Sequence, residues 1–189
     1  QAPSTQDLVN AVKDSGAKEA LILPNDSNIF MAADQAVEIA DVPVKVVRTR
    51  TIQQGLTALV LGYNPEGTLD DNAEAMTAAL GDVKSGAVTT SVRDTTLNGL
   101  EIHAGDAIGL FDGEIVVAVP DADIHQAAVE LLGKMIDDDS ELVTVYYGQE
   151  ATEDDANKLE EAGLVLDEDL EFEIHDGGQP LYPILMSVE

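Results

Sequence analysis

Between Glu19 and Tyr63 the spacing of apolar positions changes period three times. Leu21-Ile22-Leu23 is a short continuous apolar run, which predicts a strand covered on both faces. Pro24 and Asn25 end it, and Asp26 or Ser27 offers a side-chain oxygen to the free N–H groups of a following helix. Ile29, Ala33, Val37 and Ala40 then recur at helical spacing. Pro43 stops that pattern, and Val44 to Val47 is a second β-rich run. Thr49 or Thr51 caps a second helix whose expected inner face is Leu56, Leu59, Val60 and Tyr63. The order β-α-β-α predicts two parallel strands joined by a right-handed crossover. Ahead of this unit, residues 4–16 read as a helix with Leu8, Val9 and Val12 inward and Gly16 past its end.

The period changes again downstream. Thr68 caps a helix with Leu69, Ala73, Met76 and Leu80 on one side, stopped by Gly81. From Ala87 to Thr96 the chain is rich in Val and Thr, and Asn98-Gly99 and Asp112-Gly113 are hairpin turns because both central residues tolerate positive φ. Residues 87–119 are therefore expected to form one antiparallel meander. Asp121 or Asp123 caps a helix with Ile124, Ala128, Leu131, Leu132 and Met135 inward. Leu142 to Tyr147 is a strand, Thr152 opens a helix ended by Gly163, and Leu170–Ile174 and Ile184–Val188 are the last strands. The expected organisation is a linker and first helix at 1–17, a parallel α/β lobe at 18–82 and a mixed α/β lobe at 85–189. The fold class is two-lobed α/β.

Charge changes the picture more than composition does. The 189 residues carry a formal net charge of −28, with only nine Lys and Arg. That surface repels nucleic acid and anionic membranes, and either solubilises the chain or steers it to a basic partner. Lys45, Arg48 and Arg50 fall within six residues at a strand end. They either hold a phosphate or carboxylate, or pair with nearby Asp and Glu. With no Cys there is no thiolate chemistry and no disulfide scaffold. No apolar run reaches the roughly 20 residues that span a bilayer, and the N-terminus lacks a signal-peptide pattern, so the expected location is cytoplasmic.

Candidate chemistry is confined to loops. In open parallel sheets ligands bind beyond the carboxyl ends of strands. Here those ends carry Asn25 to Asn28 and Arg48 to Thr51, followed by Gln54 and Gly55. Either these polar residues meet an anion or they cap helices. His175 is expected at a strand end before Gly177, Gly178, Gln179 and Tyr182, where glycines let a ligand approach the backbone. It either contacts a ligand or stabilises the turn. Arg93-Asp94 is expected on a strand, as an ion pair or an anion contact. Asp137-Asp138-Asp139 lacks the alternating ligands and bend glycine of a calcium loop and reads as a solvated loop. No phosphate loop, dinucleotide fingerprint or G-x-S-x-G nucleophile elbow is present.

Five strings together resemble one family: ILPNDSNIFMAADQA (22–36), VVRTRTIQQGLTALVLGYNPEG (46–67), the stretch NAEAM to GEIVV (72–117), LVTVYYGQE (142–150) and IHDGGQPLYPILMSVE (174–189). They are similar to the C-terminal domain of the ATP-binding subunit of bacterial fatty acid kinase, also labelled dihydroxyacetone-kinase-like or DAK phosphatase family. The resemblance spans residues 18–189 and departs from the family pattern at 151–170, where the helix reads as short and VLDEDLEFE is acidic. It implies a fold similar to DegV and the dihydroxyacetone-binding subunit. It also implies a non-catalytic domain that docks a DegV-like fatty-acid-binding protein. ATP and Mg are expected in an N-terminal domain, with a middle domain between, and no cofactor is expected here. The acyl phosphate made by the whole protein feeds phospholipid synthesis. Because a histidine helps hold the ligand in DegV and dihydroxyacetone-binding proteins, the resemblance also marks His175. Two other functions fit the residues: a small-anion or acyl-ligand-binding domain, and a phosphatase.

Overall fold

The computed structural model describes residues 2–81 and 83–189. Gln1, in the expected linker, and Asp82, at the expected end of the first lobe, lie outside them. The chain divides into two compact units, Gln1–Val83 and Lys84–Glu189.

The first unit opens with helix α1 (Thr5–Ser15), where Ser4 and Asp7 form a reciprocal capping box and Gly16 closes the end at φ 68°. Strand β1 (Ala20–Ile22) pairs in parallel with β2 (Val44–Val46), Leu21 opposite Lys45. Asp26 caps a short 3-10 turn through the Asn28 amide, and α2 (Phe30–Ile39) makes the crossover, burying Ala33 and Ala36. Thr51 caps α3 (Ile52–Thr57), which runs straight into a π-helical turn, Ala58–Gly62. Helix α4 (Leu69–Ala79) follows, capped by Thr68 and carrying Asp70 and Asp71 in its first turn, where negative charge suits the helix dipole.

Two expectations fail in this unit. The run Leu21-Ile22-Leu23 is only half-buried, because a two-stranded sheet has too little cover for both faces. The inner face after β2 is not Leu56, Leu59, Val60 and Tyr63. Gln53, Gly55, Thr57 and Ala58 face inward, while Leu59, Val60 and Tyr63 are exposed. Two features account for this. The π turn alters the helical phase from Ala58 onward. The approach to α4 is also so close that only small residues fit: a Cβ on Gly62 would stand 2.6 Å from the Met76 Cα. The small core here is Val47, Ala58 and Met76, with Leu21, Leu23 and Leu80 against it.

The second unit is a six-stranded sheet in the order β7-β6-β3-β10-β8-β9. Its strands are β3 (Lys84–Thr90), β6 (Ala107–Phe111), β7 (Glu114–Val119), β8 (Leu142–Tyr147), β9 (Glu171–Asp176) and β10 (Ile184–Val188). All neighbours are antiparallel except β8 and β9. Helices α5 (Ile124–Met135) and α6 (Glu153–Leu166) pack on it over Leu131, Leu132, Met135, Ala156 and Leu159. Asp123, not Asp121, caps α5.

The expected single meander is two structures. Strands β4 (Thr95–Leu97) and β5 (Leu100–Ile102) form a separate hairpin at Asn98-Gly99, inserted between β3 and β6, whereas Asp112-Gly113 joins β6 to β7 within the main sheet. Helix α6 is 14 residues long, not short, and passes Gly163, which lies under the Phe172 ring of β9. Close packing can require a glycine inside a helix, so Gly163 is a contact point and not a stop. In the Asp137–Asp139 loop, Lys84 bonds Asp137 and the Met135 carbonyl, holding the Asp137 carboxyl below its usual range.

Candidate functional site

In the first unit the polar strand ends meet. Asn25 sits at φ 60°, a left-handed conformation that asparagine tolerates. Its amide donates to the Thr49 hydroxyl at 2.9 Å, and that hydroxyl donates back to Asn25 Oδ1 at 2.8 Å. Thr49 is fully buried. Gly55 leaves room for this pair, since a Cβ there would fall 2.3 Å from Asn25 Oδ1. Thr51 accepts the Gln54 amide, and Gln54 Oε1 accepts the Arg50 amide at 2.7 Å. Asn28 is exposed, its amide bonded to Asp26. The structure therefore gathers Asn25, Thr49, Thr51, Gln54 and Gly55 into one loop cluster whose bonds close on each other.

The basic cluster is largely neutralised. Arg48 pairs with Asp34 at 2.7 Å and Lys45 with Asp70 at 3.5 Å. The guanidiniums of Arg48 and Arg50 lie over the Phe30 ring, 5.1 and 5.8 Å from its centroid. Among the described residues Arg50 has no carboxylate partner within ion-pair distance. Thr49→Val keeps shape but strips the hydroxyl from Asn25. We expect it to destabilise the first unit by about 1 kcal/mol, the loss of the part-buried hydrogen bonds between Asn25 and Thr49. Urea unfolding read from amide signals of residues 20–60 measures this, and an unchanged midpoint would show that Asn25 is satisfied elsewhere.

The second cluster lies where β8 and β9 end and β10 begins. His175 is the penultimate residue of β9 and stacks on the Tyr146 ring at 5.5 Å between centroids. Its Nε2 is 3.6 Å from Glu173. Gln179 Nε2 donates to the Tyr146 and Tyr182 carbonyls at 3.1 and 2.9 Å, while its Oε1 is buried with no partner among the described residues. The Gly177 and Gly178 amides reach the Tyr147 carbonyl, and the Gly148 and Gln149 amides reach Pro183 and Gln179. Gly177 leaves room for Gln179, since a Cβ there would fall 2.1 Å from Gln179 Oε1 and displace that side chain. Arg93 is exposed in the loop between β3 and β4, not on a strand, and Asp94 accepts the Ala104 amide instead of pairing with it.

Burial pushes the Tyr146 phenol above its usual range, and the Glu173 and Glu189 carboxylates push it the same way. Burial, Asp176 and Glu153 do the same for Tyr147. Both stay neutral at pH 7, so neither supplies a phenolate base. Among the described residues no group of three His, Asp or Glu converges as a metal site. Phe30, Tyr146 and Gly148 belong to these clusters without being expected from the sequence. Only Gly148, a glycine directly after a strand, carries a local signal.

The chain is similar to Protein YloV of Bacillus subtilis, 43% identical over 187 residues, 99% of this chain but 33% of that protein. It thus spans about a third of the length of the curated relatives it matches. Among solved structures it is similar to DegV family protein Cg2579 from Corynebacterium glutamicum, with TM-score 0.62, 16% identity, and coverage of 100% and 82% of the two chains. It is also similar to TM841 of Thermotoga maritima, described as revealing a fatty acid binding function, with TM-score 0.57, 15% identity, and coverage of 100% and 76%. The dihydroxyacetone kinase of C. freundii, solved with AMP-PNP and Mg2+, also has TM-score 0.57, with 12% identity and coverage of 98% and 41%. At these identities the likeness shows a shared α/β fold. The model of the FakA-like C-terminal family, named for fatty acid kinase, matches residues 1–189, and the chain belongs to that family.

Proposed function

We propose that this chain is a non-catalytic accessory domain of a fatty acid kinase, which docks a DegV-like acyl-binding protein. A separate ATP- and Mg-binding domain of the longer protein then phosphorylates the bound fatty acid carboxylate, and the acyl phosphate enters phospholipid synthesis. The observation that carries this reading is the Asn25–Thr49 pair. A solved structure of this fold is described as binding fatty acid. Here the polar groups at the strand ends bond each other, and Arg48 is held by Asp34. A fold with its strand-end polar groups occupied in this way suits recognition of the acyl carrier more than of the acyl group.

Calorimetric titration with the DegV-like protein of the same cell, lipid-loaded and empty, tests this. Micromolar binding is expected, and no binding in either state overturns it. One observation favours a second reading, a domain for a small anion or acyl ligand: the orphaned Gln179 Oε1 beside Tyr146 and His175 accepts a donor from any molecule that enters there. Native mass spectrometry of the purified chain separates the two, since a copurifying small molecule supports only the second.

A further inference from the structure

The first unit carries a groove of about 390 Å³ whose apolar wall is Leu21, Leu23, Leu59, Tyr63, Leu69 and Met76, with Glu19 and Asn72 as polar lining. Leu21 in β1 and Leu23 just beyond the strand both line it. Beside them the π turn and the residue after it present Leu59, Val60, Leu61 and Tyr63 with relative exposures of 46, 53, 50 and 45%. Four large apolar side chains within five residues form a concentrated apolar surface, and patches of that kind in a soluble domain mark contact sites. The acidity of the chain elsewhere sharpens the contrast.

The walls are braced by hydrogen bonds and close packing. Asn72 accepts the Asn64 amide at 2.8 Å and donates to the Asn64 carbonyl at 2.9 Å, which ties the 63–67 turn to α4. Gly62 rests directly on the Met76 backbone. A braced groove loses little conformational freedom when it is filled.

The rim is acidic. Glu19 lines the groove, and Glu66, Asp70 and Asp71 are exposed on the segment from Pro65 to Asn72 that borders it. Of these four, only Asp70 has a cation at ion-pair distance among the described residues, Lys45. Two copies at −28 each repel, which opposes self-association through this face.

We propose that this groove and the adjoining π turn are the docking surface, and that the partner presents apolar side chains flanked by Lys or Arg. The proposal rests on the docking function above and names its place and chemistry. The partner's apolar residues fill the space beside Leu59 and Tyr63, and its cations meet Glu19, Glu66 and Asp71.

The test is titration of the DegV-like protein with this chain, its Leu59→Glu/Leu61→Glu variant, and a Val165→Glu control. Val165 is 86% exposed on α6 in the second unit. Circular dichroism confirms that each variant is folded, and both leucines are exposed enough to be changed without emptying the core. The expected result is a loss of at least about 30-fold in affinity for the double variant, the scale of a central contact residue. The control should bind like the parent, and affinity should fall as salt rises. Parent-like binding by the double variant, or loss only in the control, overturns the proposal. Salt-independent affinity overturns its basic-partner part. A dimer in sedimentation that the double variant dissolves makes the occupant a second copy and overturns it also. If the parent chain does not bind at all, the docking function itself has failed, which is a different result.

Discussion

Replacing Gly62 with alanine is expected to unfold the first unit at lower urea while leaving the second unit's transition in place. Alanine favours helical backbone over glycine by about 1 kcal/mol, so propensity alone predicts stabilisation. Packing opposes it. The new Cβ would stand 2.6 Å from the Met76 Cα, 2.8 Å from its N and 3.0 Å from the Ala75 carbonyl carbon. These are backbone atoms of α4, so no rotamer change relieves the overlap, and α4 has to move. Overpacking of that kind costs about 1–3 kcal/mol. The upper part of the range applies because the neighbour is main chain, and it exceeds the propensity gain. The reserve is small, since the buried cluster here is Val47, Ala58 and Met76. Amide signals of residues 20–80 and 100–188, followed separately through urea, give the answer. A raised or unchanged midpoint for the first group would show that α4 yields freely at Met76.

The same α4 contact explains a difference between sequence and structure. Caps and two-residue turns are local chemistry and were largely legible: Thr68 and Thr152 cap where expected, while the choice of Ser4 over Thr5, Thr51 over Thr49 and Asp123 over Asp121 was left to the structure. Asn98 and Asp112 take the positive φ that their turns need. The inward face of residues 52–63 was not legible, because a π turn changes the phase and two glycines invert the usual rule that large apolar residues point inward. Gly163 is deceptive for a related reason, since its role is set by Phe172 across the sheet rather than by its neighbours in sequence. The hairpin β4–β5 was legible as a hairpin, but nothing local distinguishes an inserted ribbon from a continuation of the sheet.

The candidate clusters were legible as compositions and not as bonding patterns. Asn25 and Thr49 are 24 residues apart, and only the parallel pairing of β1 with β2 brings them together. Likewise Gln179 finds the Tyr146 carbonyl across 33 residues because Gly148 permits close approach. Hydrogen bonding of a loop polar group to another loop is a tertiary property. A polar strand end in sequence therefore shows that a ligand is chemically possible, not that the groups are free to bind one.

Leu131→Ala is expected to destabilise the second unit by about 2–5 kcal/mol. Leu131 is fully buried on α5, and its Cβ lies 3.3 Å from where a Cβ of Gly109 on β6 would be. Helix and strand are thus already in close approach, and β6 is held on both sides by β3 and β7. A wall pinned by two ladders of hydrogen bonds cannot sink into the space left by the lost methyl groups. The cavity persists, and the cost belongs in the upper half of the range. Val165→Ala, at a site 86% exposed, removes methyl groups from water and is expected within about 0.5 kcal/mol of the parent. Urea unfolding of both variants compares them directly. A loss under about 1.5 kcal/mol for Leu131→Ala, below the usual span for such a truncation, would mean that α5 repacks onto the sheet, and that Gly109 keeps the helix close without holding it in one register.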